Sequence, residues 1–530
     1  MNNLTQKLSK AVLMPLKAFR IKYLPLLVIY FAYGASGLID LPLSFWIKEN
    51  LALTAVQLAS VAVWASLPWT IKMIFGQMLD SVRIFGSRRK VYVFIGAACT
   101  SAGLCVLASM AGRYAWVNYF GSDFVTFLIA KMLIILGFVI QDVTADTMTT
   151  EVVSRSHTIV DQTGELHIQA RDQKEIKHDL AMVQILGRLA LYAGLISVAK
   201  LSGTLVTYVT NNEAITYVTI FWASLIIPAI SCIGALFVRT DEIEESSVET
   251  PCKTDSTIVV ATLMLGCATI GIGLGKIMWS EMSTIFAYSD EMIFSVSLII
   301  LLWMVRHIMR HEAPEKQRIL YFTLTALFVY RLTPHVGEGL LWWMLDVLKF
   351  DPQYLGTLRL IASVVPLVIL WFFSELIASS SVKKILLFLI VVGTFMSLPE
   401  VVLYYGGDGI RSWARNIMIC DTVLESPLAN ISMIPLLTVI AFFAPLSNRG
   451  TWFAVGTSFL NLALTGSALF TKYLNLIFTV KRTVFDPVTG VVVTQADYSQ
   501  LGVLMICKII FMATVPLVVV MLCFKKEHRA

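Results

Sequence analysis

Charged residues are scarce in this sequence. Asp, Glu, Lys and Arg together make up 14% of its 530 residues, whereas hydrophobic residues make up 57%. Soluble domains carry about a quarter charged residues, so the composition argues against a soluble enzyme or binding domain. Apolar runs of roughly 20 residues recur along the chain, and a helix of that length crosses the core of a bilayer. We therefore predict an all-α polytopic membrane protein that is embedded in the lipid bilayer.

Motifs for metal, nucleotide and redox chemistry are missing as well. The eight cysteines lie mostly in apolar runs and none has metal-ligand spacing, so we interpret them as core residues. No Gly-x4-Gly-Lys loop occurs, which disfavours ATP-driven transport. The stretch "HIMRH" at 307–311 has helical spacing, but its basic surroundings favour juxtamembrane charge over a metal site. We expect no catalytic residues, metal, cofactor or nucleic-acid partner.

Apolar windows predict fourteen spans in groups of six, two and six. The spans lie near 24–48, 54–79, 90–111, 124–150, 180–203, 214–238, 256–279, 288–309, 318–346, 353–378, 383–405, 426–446, 450–476 and 499–524. They define an N-terminal half at 1–238, a cytoplasmic linker with two inserted spans at 239–317, and a C-terminal half at 318–530. Parallel halves of six spans are a recurring plan of secondary transporters.

In the inserted spans at 256–309, Lys276 and Glu281 are the residues whose charge would contradict a peripheral position. A polar group that is buried in a membrane usually marks a functional site. Because we find no cluster of buried charge in this segment, we expect it to be a peripheral hairpin outside the transport path.

Lysine and arginine residues concentrate on one side of the predicted spans. They precede the first span, follow the second, precede the seventh and follow the last. Short loops that are rich in these residues remain in the cytoplasm. We therefore expect both termini to be cytoplasmic, in a bacterial inner membrane. The basic, interrupted N-terminal segment has no signal-peptide pattern, so the first span should remain in the mature protein.

A pair of similar segments, one in each predicted half, supports two related halves. "ENLALTAVQLA" begins at Glu49 and "DVLKFDPQYLG" begins at Asp346, and each follows the first span of its half. Thr54 and Asp351 occupy corresponding positions before the next apolar run. Both are residue types that cap helix N-termini, so we predict that each begins the next span.

The stretch "GQMLDSVRIFGSRRK" resembles the signature between spans two and three of the major facilitator superfamily. The matching positions are Gly76, Asp80, Gly86, Arg88 and Arg89. The resemblance implies a major facilitator-type fold in which Gly76, Asp80, Arg88 and Arg89 form a gating motif.

Longer runs resemble a particular family of that superfamily, the folate-biopterin transporters. The run from "GASGLIDLPLSFW" to "SLPWTIKMIFGQMLD" is similar to its first two spans, "GFVIQDVTADTMTTEVV" to its fourth, and "TPHVGEGLLWWMLDVLKFDPQYLGTLRLIASV" to its seventh and eighth. The resemblance implies secondary transport of a folate, a pterin or a similar anionic metabolite. Muropeptide permeases have similar elements in the first half, so a permease of that type is the alternative within transport.

Charged side chains interrupt the apolar runs repeatedly. A charge at mid-bilayer costs about 2.5 to 3.5 kcal/mol on insertion scales, so it is kept where it is paired or faces a water-filled cavity. The charged or titratable residues within or near the predicted spans are Asp40, Lys72, Lys131, Asp142, Asp146, Arg188, Arg331, His335, Glu338, Arg359 and Lys508.

Helical spacing predicts which of these residues share a face. Asp142 and Asp146 are four apart, and Arg331, His335 and Glu338 follow an i, i+4, i+7 step, so each set should project from one side of its helix. We expect both sides to face a central cavity. Together the charges suggest proton-coupled movement of an anionic solute through that cavity.

Roles follow from the chemistry of each group. Cations and an amide would hold an anionic solute, and the candidate substrate-binding residues are Lys72, Arg331, Arg359, Arg188 and Gln141. Desolvated carboxylates and a histidine would carry protons, and the candidate coupling residues are Asp40, Asp142, Asp146, Glu338 and His335.

Structural roles remain open for several of these residues. Lys72 and Arg359 would serve equally well as structural locks paired with Asp142 or Asp146. Arg188, beside Gly187, fits helix packing, and Asp40 and His335 fit polar contacts in the core. We predict a monomeric secondary transporter that moves its solute by alternating access with proton coupling. An integral-membrane enzyme acting on lipid is the alternative from a different class.

Overall fold

A computed structural model describes the protein over residues 19–81, 84, 89–153, 156–160, 166–170, 173–211, 215–237, 256–279, 288–310, 313–379, 382–426, 428, 449–485 and 492–525. These residues are almost entirely helical. Short 3-10 turns and two small antiparallel ribbons join the helices.

The helices before residue 238 form what we call the N-terminal group. They are α1 (Leu24–Ala35), α2 (Asp40–Asn50), α3 (Ala55–Thr70), α4 (Lys72–Ser81), α5 (Lys90–Ala111), α6 (Asp123–Glu151), α7 (Gln173–Thr210), α8 (Tyr217–Ala223) and α9 (Ile226–Leu236). A 3-10 turn at Ser36–Ile39 joins α1 to α2, so the two form one interrupted span. Strands β1 (Ser156–Val160) and β2 (Leu166–Ala170) pair antiparallel ahead of α7.

An inserted pair of helices follows, α10 (Ser256–Trp279) and α11 (Ser289–Met309). The helices after it form what we call the C-terminal group. They are α12 (Pro314–Arg331), α13 (Glu338–Asp346), α14 (Pro352–Ser379), α15 (Val382–Met396), α16 (Leu398–Tyr405), α17 (Gly407–Arg411), α18 (Arg449–Ile477) and α19 (Leu501–Lys525). Residues 414–426 are also helical. Strands β3 (Val484–Phe485) and β4 (Val492–Thr494) pair between α18 and α19.

Ten helical segments of the described chain are long and apolar enough to cross a membrane. They coincide with the first eight predicted spans and with those near 383–405 and 499–524. Helices α14 and α18, 28 and 29 residues long, match two further predicted spans. Most of the predicted span at 426–446 lies outside the described residues.

Lipid would surround much of the exterior of the helix bundle. On α19, for example, Ile510, Val518 and Leu522 remain more than half exposed. A soluble protein rarely leaves so extended an apolar surface uncovered. The prediction of an all-α integral membrane protein is confirmed.

The predicted span at 318–346 is interrupted. Helix α12 ends at Arg331, and α13 begins only at Glu338. Proline lacks the backbone N–H that a helix interior needs, and Pro334 lies in the gap. Gly337 has a φ of 87°, in the left-handed region that favours glycine. The prediction that Arg331, His335 and Glu338 share one continuous helical face is therefore wrong.

The two groups pack against each other along two seams. Helix α3 packs on α18, and α7 packs on α14. At the second seam the backbones of Gly203 and Gly356 touch, because a Cβ at Gly203 would lie 3.0 Å from the Gly356 Cα atom. At the first, the hydroxyls of Ser66 and Thr465 are 2.6 Å apart. Small and hydroxyl-bearing residues are typical of helix contacts in membranes.

The largest cluster of buried apolar side chains joins the two groups at one end of the bundle. It contains Trp46 and Trp64 from the N-terminal group and Trp342 and Trp343 from the C-terminal group. Large aromatic side chains contribute much of the packing area in such a core. The groups are therefore in close contact at the end where α2 and α13 terminate.

Both predicted helix caps are present. The Thr54 hydroxyl accepts a hydrogen bond from the Gln57 N–H at the start of α3, in a reciprocal capping box. The Asp351 carboxylate accepts one from the Tyr354 N–H at 2.7 Å, at the start of α14. The two similar stretches therefore form the same local structure, a capped helix N-terminus, in each group.

Candidate functional site

A cavity of about 450 Å³ lies between the N-terminal and C-terminal groups. Ligand pockets for small organic molecules typically have volumes of about 300 to 1,000 Å³. Its lining residues are Asp40, Leu43, Ser44, Ile47, Leu58, Val61, Ala62, Ala65, Ser66, Phe127, Lys131, Glu338 and Arg359. Four of these side chains are charged, two positively and two negatively. We call this space the central cavity.

Breaks in the helices place two of the four charges. Asp40 begins α2, directly after the 3-10 turn at Ser36–Ile39. Glu338 begins α13, directly after Gly337. Broken helices at membrane depth are tolerated where they line a cavity, and they commonly form binding sites in transporters. Lys131 on α6 and Arg359 on α14 complete the set from uninterrupted helices.

The four charges are not paired equally. The Arg359 guanidinium lies 3.6 Å from an Asp40 carboxylate oxygen, which links the two groups across the cavity. Lys131 and Glu338 make no hydrogen bond and no ion pair with any described residue. The alternative of a structural lock between Arg359 and Asp142 or Asp146 is not what the structure has, because both aspartates bond to Lys72. The central cavity therefore contains one ion pair and two charges, Lys131 and Glu338, that act on each other without a direct contact.

A second charged cluster lies within the N-terminal group. The Lys72 ammonium donates to Asp142 at 2.6 Å and to Asp146 at 2.8 Å. The Tyr30 hydroxyl donates to the other Asp146 oxygen at 2.7 Å. These contacts confirm that the two aspartates share one side of α6. We call this group the Lys72 cluster.

The Lys72 cluster is separate from the central cavity. Lys131 and Asp146 are fifteen residues apart on α6, which corresponds to about 22 Å along the helix axis. None of the cluster residues lines the cavity. The contacts of the Lys72 ammonium with both aspartates favour the structural lock for Lys72.

Two further candidates lie near this cluster. Arg188 makes no hydrogen bond with a described residue, but its charge acts on both aspartates. The neighbouring Gly187 packs against the Tyr30 ring, so the glycine rather than the arginine forms the close helix contact. Gln141 is 2% exposed and packs against Gly96 on α5, away from the cavity. The structure therefore does not place Gln141 where it would contact a solute.

Arg331 is the last residue of α12, and His335 lies in the break between α12 and α13. Neither lines the central cavity. The His335 backbone N–H donates to the Thr471 hydroxyl on α18 at 2.9 Å. That bond and one from Asn475 to the Val336 carbonyl satisfy backbone groups freed by the break. Helix α18 thus holds the break in a defined conformation and keeps Glu338 at the cavity.

The gating motif is described in part. The Arg89 guanidinium is buried and donates to the Leu79 carbonyl at 2.8 Å, near the C-terminal end of α4. A cation there interacts favourably with the helix dipole. Gly76 lies within α4 and faces Val143 on α6. The Asp80 side chain and Arg88 lie outside the described residues.

The inserted pair contains a buried charge cluster, so the expectation that it lacks one is wrong. Asp290 on α11 is 2% exposed and bonds to the Lys276 ammonium of α10 and, at 2.8 Å, to the Lys472 ammonium of α18. The Trp64 indole of α3 also donates to it at 2.7 Å. Lys472 bonds to Glu291 at 2.9 Å as well. We call these residues the Asp290 cluster; Glu281 lies outside the described residues.

Ion pairs and hydrogen bonds close the end of the bundle where α2 and α13 terminate. The Lys48 ammonium pairs with Asp346, which also accepts from the Tyr498 hydroxyl. The Arg482 guanidinium donates to the Ile47 carbonyl. Burial lowers the pKa of Arg482, which lies in the loop before β3, to about 10. These contacts join the two groups at what we call the Lys48 end.

Acidic residues gather around a single lysine in the C-terminal group. The Lys508 ammonium lies 3.7 Å from a Glu400 oxygen. Asp421, 4% exposed, has one carboxylate oxygen without a partner in the described chain, and the charges of Glu425, Glu400 and Lys508 act on it. Sequence reasoning identified only Lys508. The four-residue spacing of Asp421 and Glu425 was the available signal.

Sequence comparison identifies related proteins over most of the chain. The model of the BT1 family matches residues 33–527. A folate-biopterin transporter of Synechocystis sp. is 24% identical over 444 residues, covering 83% of this chain and 72% of that protein. Folate transporter 2 of Plasmodium falciparum is 20% identical over 445 residues, covering 83% and 78% respectively.

Structure comparison identifies the fold. A bacterial homologue of the human drug peptide transporters PepT1 and PepT2 superposes with a TM-score of 0.60, at 12% identity, over 96% of this chain and 98% of that one. The nucleoside transporter NupG superposes with a TM-score of 0.57, at 10% identity, over 95% and 100%. At these identities the likeness shows the fold alone, and it confirms the major facilitator-type fold.

Proposed function

The chain belongs to the BT1 family, and from that membership we propose that it is a secondary transporter of a folate, a pterin or a similar anionic organic metabolite. The names of its relatives in Synechocystis and Plasmodium supply the class of solute. The family and the fold favour a transporter over the alternative of an integral-membrane enzyme.

The central cavity is the observation that carries this proposal. It lies between two groups of helices, and residues from both groups line it. A transporter that works by alternating access needs its binding site at such an interface, because relative rocking of the groups then exposes the site to either side. The apolar side chains Leu58, Val61 and Phe127 offer a surface for a planar ring, and the charged residues provide orientation.

Arg359 is proposed to bind the anionic solute, because a guanidinium can hold a carboxylate through two parallel hydrogen bonds. The Arg359 guanidinium lies 3.6 Å from the Asp40 carboxylate, which is longer than a direct hydrogen bond. A solute carboxylate that bonds more closely to Arg359 would therefore replace Asp40. Glu338 is proposed to carry the coupled proton. A carboxylate without a protein partner in a low-dielectric cavity is readily neutralised by a proton.

The excess of lysine and arginine on one side of the spans supports an orientation of the protein in the membrane. Both termini and the linker are proposed to lie in the cytoplasm of a bacterial cell. The Lys48 end would then face outward. Because Lys48 and Asp346 join the two groups there, this conformation would be closed to the outside. Asp40 and Arg359 retain solvent exposure, which is consistent with access to the cavity from the cytoplasmic side.

Uptake by purified protein in proteoliposomes would test the proposal. Labelled folate and biopterin would be offered with and without an inward proton gradient, beside an amino acid and a dipeptide as controls. We expect accumulation of at least one of the first two compounds, and a larger amount with the gradient. Uptake of the dipeptide alone would favour the permease alternative, and no uptake of any compound by correctly folded protein would contradict transport of this class.

A further inference from the structure

We propose that Lys131 binds a carboxylate of the transported solute and thereby distinguishes folates from pterins that lack a carboxylate. The inference rests on the proposed function, since it concerns the same cavity. Lys131 was recognised in the sequence only as a charge within a span, without a role.

Lys131 differs from five other lysines of the bundle because it forms no ion pair with a carboxylate of the described chain. Lys48, Lys72, Lys276, Lys472 and Lys508 all form ion pairs with carboxylates of the described chain. Lys131 lines the central cavity, is only partly exposed, and has no hydrogen bond or ion pair with a described residue. The Glu338 charge interacts with Lys131 only across the cavity, without a direct contact. An ammonium group without a directly bonded counter-charge is costly at membrane depth, and a carboxylate of the solute would supply that contact.

The charges around Lys131 favour the binding of an anionic ligand. Glu338 faces the same cavity from the C-terminal group, also unpaired, and Arg359 faces it with Asp40 as its neighbour. With all four groups ionised the cavity has two positive and two negative charges. Protonation of Glu338 removes one negative charge and leaves the cavity with a net positive charge, which suits a carboxylate beside Lys131.

The chemistry of the solute makes the inference specific. Folates have a pterin ring at one end and glutamate carboxylates at the other, whereas biopterin has the ring and no carboxylate. The cavity offers an apolar lining with Phe127 one helical turn from Lys131 on α6. Ring contacts would serve both solutes, while the ammonium group would serve only the carboxylate of a folate.

The experiment compares the KM of folate and biopterin exchange at equal pH on both sides of the vesicle, which removes the need for a proton gradient. Loss of a hydrogen bond to a charged group weakens binding by about ten- to a hundredfold. For Lys131→Gln we therefore expect a KM for folate that is raised about tenfold or more, with the KM for biopterin changed less than twofold. Lys131→Arg keeps the charge and should retain most of the affinity for folate.

Lys200→Gln is the matched control, because this lysine lies exposed on α7 and does not line the cavity. It should leave both KM values unchanged. A Lys131→Gln variant in which both KM values rise alike, or in which neither rises, would overturn the inference, since either result removes the link to the carboxylate. A wild-type protein that exchanges neither compound would instead overturn the proposed function, and the inference with it.

A Glu338→Gln variant separates binding from proton coupling. Its neutral side chain mimics the protonated carboxyl, so folate exchange at equal pH should depend less on pH than in the wild type. The charged groups that face Glu338 are Lys131 on α6, Arg359 on α14 and Asp40 on α2, and they are intact in this variant. Folate exchange by correctly folded Glu338→Gln protein with the same pH dependence as the wild type would contradict the assignment of the solute carboxylate to Lys131 opposite a neutral Glu338.

Discussion

Individual charged residues within the helices are of two kinds, those that are paired within the chain and those that make no hydrogen bond or ion pair with a described residue. Lys72 is of the first kind, because its ammonium bonds to two carboxylates and lies 5.9 Å from the centre of the Trp69 ring. Lys131 and Glu338 are of the second kind. Hydropathy assigns both kinds to apolar spans in the same way, and only the contacts separate them.

Neutralising Lys72 should destabilise the fold. The variant Lys72→Gln would leave Asp142, 7% exposed, and Asp146 facing each other with only the Arg188 charge, which makes no hydrogen bond to either, as a counter-charge. Breaking a buried ion pair by removing one partner costs about 3 to 5 kcal/mol, and the partial exposure of Asp146 reduces that value. We expect a lower Tm for the detergent-solubilised variant. Thermal unfolding measured by light scattering or tryptophan fluorescence would check it.

The double variant Lys72→Gln with Asp142→Asn tests whether the lower Tm comes from repulsion between the two carboxylates. It removes one carboxylate with the lysine, so it should recover much of the lost Tm. Arg188→Gln is the comparison, since Arg188 makes no hydrogen bond with a described residue and should matter less for stability. A Lys72→Gln protein as stable as the wild type would show that the cluster is not a structural lock.

At the scale of helices, the inserted pair is part of the bundle. The Asp290 cluster connects α10 and α11 to α3 of the N-terminal group and to α18 of the C-terminal group. The Lys276 ammonium also lies 5.2 Å from the centre of the Trp64 ring. A segment tied to both groups would have to adjust whenever the seam between α3 and α18 moves.

Substituting Asp290 should therefore affect both folding and transport. Asp290→Asn would leave the Lys276 and Lys472 ammonium groups close together in a buried site, with only Glu291 as a carboxylate. We expect a lower Tm and a loss of uptake of about tenfold or more. The double variant Lys276→Met with Asp290→Asn keeps the Lys472 and Glu291 pair, and it should be more stable than the single variant.

Ile299→Ala provides a control on the same helix, because Ile299 is 67% exposed on α11 and outside the cluster. Its Tm and uptake should stay near the wild-type values. Normal uptake by the Asp290→Asn protein would return the inserted pair to the peripheral role that its sequence suggests.

The broken helices are the second feature at this scale. Asp40 and Glu338 each begin a helix after an interruption, one in each group. Pro334 and Gly337 are a visible sequence signal for the second break. The first break contains Gly37 but no proline, and the hydrophobic pattern runs through it. The positions of these two cavity charges were therefore predictable to different degrees.

Over the whole molecule, the contacts at the Lys48 end hold the two groups together on one side. The Lys48 and Asp346 side chains are 18% and 30% exposed, so their pairing is only partly screened by solvent. A partly exposed ion pair contributes about 1 kcal/mol. That energy would shift a two-state equilibrium between closed and open forms by about fivefold.

Removing this pair should open the Lys48 end more often. In a variant whose native cysteines are replaced, a Ser44→Cys side chain in the central cavity would report access to a membrane-impermeant thiol reagent. We expect Asp346→Asn to speed labelling from the outside by roughly fivefold. The exchange of charges in Lys48→Asp with Asp346→Lys should restore slow labelling. Faster labelling from the cytoplasmic side instead would reverse the proposed orientation.

The sequence by itself determined the class of the protein and the positions of most of its helices. Bilayer thickness requires long apolar runs, and such runs are read directly from composition, so ten of the fourteen predicted spans coincide with described membrane-length helices. Residues four apart on a helix share a side whatever surrounds them, which is why Asp142 and Asp146 were paired correctly. Caps at Thr54 and Asp351 are equally local.

Only the tertiary structure decided which charges meet. Asp40 and Arg359 are 319 residues apart, Trp64 and Asp290 are 226 apart, and Lys48 and Asp346 are 298 apart, so no local spacing relates them. Helical periodicity fixes the face of one helix, but the rotation and depth of its neighbours depend on packing along entire seams. For that physical reason the sequence identified the charges, whereas the packing of α2, α3, α6, α13 and α14 determined that Lys131 and Glu338 are the two left open in the cavity.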